Sequence, residues 1–283
     1  MAFRIKMIMP LVALFLVAIG YPLGYSFWLS LTNYRITKPG QTEFVGMAQY
    51  QALFDNAAYW EALIVTGTFM VIAVSLELVL GLAIALALRR QVRVRNMTRA
   101  FLLSPMFITP IAVGLMFRFL LNPQLGPLDL LLEKLNLSYD YFGPGNAIFT
   151  IALIDVWQWT PFMVLLLLAG LESLPRAPFE AAKVDGASPW LTLKSITLPM
   201  LSSVLVVAVL IRGLDAMRVF EYVFAITRGG PGTETQTIQY LIYQTGIQFF
   251  RLGQASAMAY MVLAIVLVFV IFLFRAINKE ARR

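Results

Sequence analysis

Residues 173–200 read SLPRAPFEAAKVDGASPWLTLKSITLPM and connect two long apolar runs of the chain. A proline at the first turn predicts a short helix over Phe179–Val184, and Gly186 can adopt the left-handed conformation that ends it. A Ser-Pro pair predicts a second helix over Trp190–Ile196, and Pro199 begins the next apolar run. The stretch is therefore expected to form a helix–turn–helix whose apolar side chains are buried. On local physics alone, it would be an amphipathic hairpin resting on lipid.

The composition is that of a membrane protein. The 283 residues are 60% hydrophobic and 13% charged, whereas a soluble chain is about half apolar and about a quarter charged. The chain contains no Cys and no His, which excludes a thiol nucleophile, a disulfide framework, a zinc cluster and a histidine-based triad. Its net charge of +7 is expected to orient membrane spans. We therefore expect no enzymatic activity, no catalytic or metal site and no nucleic acid partner.

Six apolar runs approach or exceed the length of about 20 residues that crosses a bilayer. They predict an all-α polytopic membrane protein with six transmembrane helices, over Met7–Leu31, Ala62–Leu88, Ala100–Leu121, Ala147–Leu171, Pro199–Phe220 and Ala255–Phe274. The first run exceeds the apolar core of a signal peptide, about 7–15 residues, so we interpret it as a retained helix. The third contains Pro105 and Pro110 and is expected to be kinked.

The positive residues predict the orientation of these helices. With the N-terminus inside, fourteen of the 22 Lys and Arg residues lie in cytoplasmic segments and five in outer loops. The largest cytoplasmic group follows the second run and consists of Arg89, Arg90, Arg93, Arg95 and Arg99. Because positive residues are retained on the cytoplasmic side of short loops, both termini are predicted to lie in the cytoplasm.

The helix–turn–helix carries a spaced motif. Its fixed positions are Glu180, Ala181, Ala182, Gly186, Ile196, Leu198 and Pro199. This pattern resembles the EAA signature of permease subunits of binding-protein-dependent ABC importers, and Asp185 before the glycine also suits that family. The resemblance implies the fold of a type I ABC importer permease. It implies an N-terminal helix and outer loop at 1–61, a five-helix core at 62–275 with a coupling loop at 172–198, and a cytoplasmic tail at 276–283.

Three stretches are similar to the carbohydrate-importing class of this family. They are GGP at 229–231 with Thr233, Thr235 and Thr237, RGLDAMRVFE at 212–221, and the segment 21–32. The last resembles the first permease of maltose-, trehalose- and glycerol-phosphate-type systems. The resemblance implies the import of a sugar or sugar derivative, neutral or anionic, across a bacterial plasma membrane.

The resemblance also implies a set of partners. A second, homologous permease would complete a heterodimer, and an extracytoplasmic solute-binding protein would deliver the sugar. Two copies of a cytoplasmic ABC ATPase, which bind ATP and magnesium, would dock against the loops, and this chain would hold no cofactor. Glu180 would face basic or polar groups of the ATPase, Gly186 would permit the tight turn, and Ala181 and Ala182 would allow close packing.

The residues themselves support one part of this division of labour. The chain contains no G-x-x-x-x-G-K-[ST] sequence, so it cannot hydrolyse ATP itself. Its energy would come from a partner or from an ion gradient. The alternative function is therefore an ion-coupled secondary carrier with Glu77 or Asp155 as its proton group. A lipid-modifying enzyme is disfavoured by the missing His and Cys.

Charged and aromatic residues recur inside two of the predicted helices. Asp155, Trp159 and Phe162 are spaced at i, i+4 and i+7 and share one helix face. Arg212 and Asp215 lie one turn apart on the next helix. At about 1.5 Å per residue, Asp155 would lie about 12 Å and Arg212 about 10 Å below the outer surface. The two groups are therefore expected to meet at one depth.

Two interpretations of this meeting point remain open. Aromatic rings such as Trp157 and Trp159, expected close by, stack on sugar rings, and charged groups bind hydroxyls, so the residues would line a substrate pathway. Alternatively, an ion pair of Arg212 with Asp155 or Asp215 fastens the helices. In the family that the chain resembles, the equivalent stretches contribute to the transport site, which favours the pathway. An arginine in a water-filled cavity would also suit an anionic sugar.

Two other charges lie in predicted helices. Arg118, near the outer end of the third helix, is expected to snorkel to the membrane surface. Glu77, in the inner half of the second helix, is expected to make a polar contact between helices, with gating as the alternative role. Neither residue belongs to the predicted pathway.

Overall fold

The computed structural model describes residues 2–90, 97, 101–128, 132, 134 and 139–280, with the backbone alone described at 2–6, 90, 272–274 and 276–280. Over these residues the secondary structure is helical, and the single pairing of extended segments is an isolated bridge between Thr32 and Phe44. The predicted all-α class is confirmed. The start of the predicted third span, the positions of Arg93, Arg95 and Arg99, and the last three residues lie outside the described residues.

The α-helices follow one another along the chain with short connections. They are α1 (Ala2–Phe15), α2 (Tyr21–Ser30), α3 (Ala48–Phe54), α4 (Ala57–Arg90), α5 (Pro110–Leu120), α6 (Ala147–Ser173), α7 (Ala177–Val184), α8 (Pro189–Thr192), α9 (Leu198–Ala216), α10 (Ile238–Tyr243) and α11 (Leu252–Glu280). Short 3-10 segments lie at Pro39–Gln41 and Ser104–Phe107, and π-helical segments lie at Leu16–Gly20, Leu193–Thr197, Val223–Thr227 and Gln244–Gln248.

Five helices in the described ranges are long and apolar enough to cross a membrane. They cover Met7–Ser30, Ala57–Arg89, Ala147–Ser173, Pro189–Ala216 and Leu252–Ile271. A sixth candidate is a broken pair, Phe101–Phe107 and Pro110–Leu120, whose two parts differ in direction by 104°. The break falls where Thr109 is extended, at φ −64° and ψ 137°, because the residue before a proline avoids the helical region. The predicted proline kink is thus present, and it is sharp.

The fifth span begins earlier than predicted. One continuous helical stretch runs from Pro189 to Ala216, so the predicted start at Pro199 and the predicted end at Phe220 are both wrong. Pro199 has no N–H and its ring would collide with a carbonyl of the preceding turn in a regular α-helix. The preceding π-helical turn, in which the Leu198 N–H bonds to the Leu193 carbonyl, widens the helix there and lets it continue.

The first compact unit consists of 1–61 and 241–268. Within it, the Ser30 and Tyr50 hydroxyls are 2.7 Å apart, and the Tyr260 hydroxyl donates to the Leu23 carbonyl at 2.5 Å. A Cβ added to Gly253 would lie 2.2 Å from the Thr32 carbonyl oxygen. These contacts join the start of α11 to the first span and the loop after it.

The second compact unit consists of 62–240 and 269–283. Helix α6 is its most buried element, and it approaches α4 and α9 closely where side chains are absent. A Cβ added to Gly81 would lie 2.7 Å from the Met163 Cβ, and one added to Gly170 would lie 2.8 Å from a Leu201 methyl. The close packing of α4, α6 and α9 brings together the helices that carry Glu77, Asp155 and Arg212.

Candidate functional site

The loop 172–198 forms the predicted helix and turn. Helix α7 is followed by Gly186, whose φ is +71°. The backbone N–H of Ala187 donates to the Ala182 carbonyl at 2.9 Å, and that of Gly186 donates to the Lys183 carbonyl at 3.2 Å. These are the two bonds of a Schellman motif, which ends a helix at a left-handed residue. The turn at Gly186 is therefore built by the local sequence.

The same loop leaves several side chains exposed. The Ser188 Oγ accepts the Leu191 N–H at 3.2 Å and so caps α8. Glu180 is exposed, and Val184 and Trp190, which were expected to be buried, are 89% and 71% exposed. That expectation is wrong for this chain, because α7 is too short for more than one face to pack against its neighbours. An acidic side chain and two apolar ones are thus available to another molecule.

A buried arginine connects three helices. Arg212 on α9 donates from Nε to Glu77 Oε2 at 2.7 Å and from Nη2 to Glu77 Oε1 at 2.6 Å. Its Nη2 also donates to Asp155 Oδ2 at 2.7 Å, and its Nη1 donates to Asp215 Oδ2 at 2.5 Å. The fork-shaped contact with Glu77 on α4 is the strong bidentate form of the guanidinium–carboxylate pair. We call these four residues the charge cluster.

The charge cluster is sequestered except at one carboxylate. Glu77, Asp155 and Arg212 are 0%, 3% and 1% exposed, whereas the Asp215 side chain is 43% exposed. Three carboxylates accept hydrogen bonds from a guanidinium that has only five N–H groups. Arg212 therefore fastens α4, α6 and α9, which is the ion-pair interpretation, and it retains little capacity to bind a further ligand.

Two cavities lie against the charge cluster. The first has a volume of 260 Å³, and its lining includes Asp155, Trp159, Asp215, Arg218, Glu221 and Tyr222. The second has a volume of 370 Å³, and its lining includes Trp159, Phe162, Arg212 and Asp215. The Trp159 ring centre lies 5.1 Å from the Arg212 guanidinium carbon. The structure thus brings five of the six predicted pathway residues together around two cavities.

Trp157 is the predicted pathway residue that lies elsewhere. Its ring packs edge-on against Phe117 at 5.3 Å, and its side chain is 41% exposed. Two residues along an α-helix correspond to a rotation of about 200°. The expectation that Trp157 lies close to the meeting point of Asp155 and Arg212 is therefore wrong.

Gln158 and Tyr222 form a polar contact that the sequence interpretation missed. Gln158 is fully buried; its Nε2 donates to the Ile108 carbonyl at 2.6 Å, and its Oε1 accepts the Tyr222 hydroxyl at 2.5 Å. Burial raises the pKa of Tyr222, so the phenol stays protonated and can donate. The available signal was a buried-type amide inside an apolar helix, one turn after Asp155.

The other two intramembrane charges also have defined partners. Glu77 makes the predicted polar contact between helices, but it does so with Arg212, 135 residues later in the chain, and so belongs to the charge cluster. The Arg118 Nη1 donates to the Ala225 carbonyl at 3.0 Å, which contradicts the expectation that it snorkels. Ala225 lies near the end of a π-helical segment, where a carbonyl lacks an intrahelical partner.

Comparison with known proteins assigns the family. Residues 77–283 match the model of the family described as Binding-protein-dependent transport system inner membrane component. The chain belongs to this family. The predicted importer permease is confirmed, and its charge cluster and most of its loop 172–198 contacts lie within the matched residues.

Relatives and solved structures agree with that assignment. The permease is 38% identical over 270 residues to the trehalose/maltose transport system permease protein MalF of Thermococcus litoralis, which covers 94% of this chain and 90% of that protein. It matches the crystal structure of a bacterial ABC transporter involved in the import of the acidic polysaccharide alginate, with a TM-score of 0.84, 23% identity and coverage of 98% of this chain and 95% of that one.

A second structure shows a comparable fold. It is a bacterial alginate ABC transporter in complex with an alginate pentasaccharide-bound periplasmic protein, and the match has a TM-score of 0.82, 23% identity and coverage of 96% of this chain and 92% of that one. Both matches support the same architecture over nearly the whole permease. The fold of a type I ABC importer permease is therefore confirmed.

Proposed function

We propose that this chain is the permease subunit of an ATP-driven importer that carries a sugar into a bacterial cell. It would span the plasma membrane six times with both termini in the cytoplasm. The observation that carries the proposal is the 260 Å³ cavity, where Trp159 and Tyr222 meet the carboxylates Asp155 and Asp215. Aromatic faces and charged acceptors are the groups that bind pyranose rings and hydroxyls. Membership of a transport family and similarity to a trehalose/maltose permease support it.

The sugar is proposed to be neutral. Three carboxylates, on Asp155, Asp215 and Glu221, line the cavity, whereas Arg218 is its only cation among the described lining residues. Arg212, which would have suited an anionic sugar, is already bound by carboxylates. An anionic sugar would therefore meet repulsion in the cavity. In this proposal Arg212 holds Asp155 and Asp215 in place, and Phe162 extends the aromatic wall of the adjoining cavity.

The loop 172–198 is proposed to receive the motion of an ATPase. Glu180, Ala181, Ala182, Asp185 and Gly186 would form its docking helix and turn, and Ile196, Leu198 and Pro199 would form its connection to the fifth span. The exposure of Glu180 and Trp190 supports this role. Because α8, the π-helical turn and α9 are continuous from Pro189 to Ala216, movement at the loop would be transmitted along one helix. Arg212 lies 23 residues from Pro189, or about 35 Å along that helix.

The complete transporter is proposed to contain four further subunits. A second homologous permease would pair with this chain, two copies of an ABC ATPase would bind at the loops, and a solute-binding protein would deliver the sugar. Such a protein is bound in one of the alginate transporter structures. ATP hydrolysis in the partner would alternate the permease pair between outward-open and inward-open states, and this chain would catalyse no reaction.

Purification followed by vesicle transport tests the proposal. The tagged chain, co-expressed with the genes beside its own, should retain a second permease and an ATPase, and vesicles with the binding protein should take up labelled sugar only when ATP is inside. Glu180→Lys should abolish uptake without loss of membrane insertion, because it reverses the charge of the docking helix. The matched control is Asp55→Lys, which makes the same change at an exposed residue outside the loop.

Two results would contradict the proposal. Uptake by the chain alone in response to a proton gradient would identify an ion-coupled carrier, which family membership already disfavours. Normal ATP-dependent uptake by Glu180→Lys would instead show that the loop is an interfacial hairpin with no docking role.

A further inference from the structure

A third cavity lies at the end of α4, away from the charge cluster. Its volume is 610 Å³, and its walls include Leu86 and Arg89 from α4, and Phe179, Lys183, Trp190 and Leu193 from the loop 172–198. This volume is within the range of about 300–1,000 Å³ that is typical of sites for small molecules. The cavity combines apolar walls with two cations.

The two cations of this cavity lack acidic partners. Arg89 and Lys183 are the charged side chains among its described lining residues. The ion pairs between described side chains involve Arg212 and Arg218, so neither Arg89 nor Lys183 is neutralised by a carboxylate. The Arg89 guanidinium carbon lies 4.8 Å from the centre of the Phe179 ring, an arrangement that orients the guanidinium. The cavity therefore presents a positive potential that an anion would satisfy.

The position of the cavity indicates where that anion would come from. Arg89 is the last residue of the apolar span Ala57–Arg89, so the cavity lies at the level where hydrocarbon gives way to headgroups. Trp190 is 71% and Leu191 is 52% exposed on the same loop. An exposed tryptophan beside cations at the end of a span is typical of the membrane interface. Leu86 and Leu193 provide an apolar wall next to the two charges.

We propose that this cavity binds the headgroup of an anionic phospholipid such as phosphatidylglycerol. The phosphodiester would lie between Arg89 and Lys183, and the first part of an acyl chain would follow Leu86 and Leu193. Basic pockets next to membrane helices bind anionic headgroups in this way. A carboxylate of a protein partner would need the cations but not the apolar wall. Glu180, the exposed acid proposed for docking, is not among the described lining residues, so the two sites are distinct.

Native mass spectrometry of the chain, purified in detergent with its co-purifying partners, tests the proposal. Dioleoyl phosphatidylglycerol, dioleoyl phosphatidylcholine or inorganic phosphate is added in turn, and bound lipids are counted. Phosphatidylglycerol should be retained in preference to phosphatidylcholine, and inorganic phosphate should not displace it. Arg89→Gln and Lys183→Gln should each weaken retention about fivefold, because one cation near an anionic headgroup is removed. Lys194→Gln, which removes a loop cation outside the cavity, should retain the lipid normally.

Several outcomes would overturn the proposal. Equal retention of both lipids, or equal loss in Lys194→Gln, would show that binding depends on general charge. Displacement by inorganic phosphate would identify a site for a free anion. Retention by the chain alone but not by the assembled complex would identify a partner protein as the occupant. Lys183→Gln decides the matter by itself if Arg89→Gln fails to fold, because Lys183 is an exposed loop residue.

Discussion

Replacing Arg212 by alanine should unfold the permease, and the size of the effect follows from the charge cluster. The change removes the hydrogen bonds to Glu77, Asp155 and Asp215. Glu77 and Asp155, which are 0% and 3% exposed, would be left buried without a counter-charge. Removing one partner of a buried ion pair costs about 3–5 kcal/mol. Such a loss corresponds to a fall in melting temperature on the order of 10 °C.

The neighbouring carboxylate provides a matched control. Asp215 bonds to the same guanidinium, but its side chain is 43% exposed, so water solvates whichever charge remains. Asp215→Ala should therefore cost about 1 kcal/mol or less, as exposed ion pairs do. Both variants delete one side chain of the same contact, and they differ chiefly in burial.

A multiple substitution should restore stability. Arg212→Met with Glu77→Gln and Asp155→Asn removes every buried charge while keeping similar volumes, and such replacements are often neutral. Arg212→Met with Asp155→Asn alone should not restore it, because Glu77 would still be buried and ionised. The assay is the melting temperature and the yield of monodisperse complex in detergent, with sugar uptake measured on every variant that assembles.

Two results would refute this reasoning. If Arg212→Ala assembles with the yield and melting temperature of the unaltered protein, Arg212 does not fasten the helices. If Arg212→Met with Asp155→Asn is fully stable, the bidentate contact with Glu77 contributes little. Assembly of Arg212→Ala together with loss of uptake would instead assign Arg212 a direct role in the pathway.

Three further predictions follow from single contacts. Gly186→Val should reduce ATP-dependent uptake, because a β-branched residue at φ +71° costs about 1–3 kcal/mol at the turn. Trp159→Ala should lower sugar uptake about tenfold, as expected for loss of an aromatic contact worth about 1.5 kcal/mol, while Trp157→Ala should leave uptake unchanged. Gly81→Val should lower the melting temperature, because even its Cβ would lie 2.7 Å from the Met163 Cβ, an overpacking that costs about 1–3 kcal/mol.

Each of these predictions has an opposing result. Normal uptake by Gly186→Val would exclude a need for the left-handed turn. Equal loss of uptake in the Trp159 and Trp157 variants would place the sugar away from the 260 Å³ cavity. An unchanged melting temperature for Gly81→Val would mean that α4 and α6 can separate without loss of stability.

The sequence by itself determined the features that depend on neighbouring residues. A run of apolar residues that cannot expose its backbone in lipid must be helical, so the α-helical class and the positions of most spans were predictable. The turn at Gly186 was predictable for the same reason, since its two hydrogen bonds join residues within six positions of one another. The spaced motif of the loop 172–198 likewise indicated the transport family without any contact between helices.

Only the tertiary structure decided which side chains meet. Glu77 and Arg212 are 135 residues apart, and nothing in either helix specifies the rotation and height at which the two face each other. Those quantities depend on the close approach of α4, α6 and α9 at Gly81 and Gly170. The same packing turns Trp157 away from the cavity, and a local widening of the helix carries the fifth span through Pro199. Helix formation is a local free-energy balance, whereas the pairing of charges between helices requires the whole bundle to be assembled.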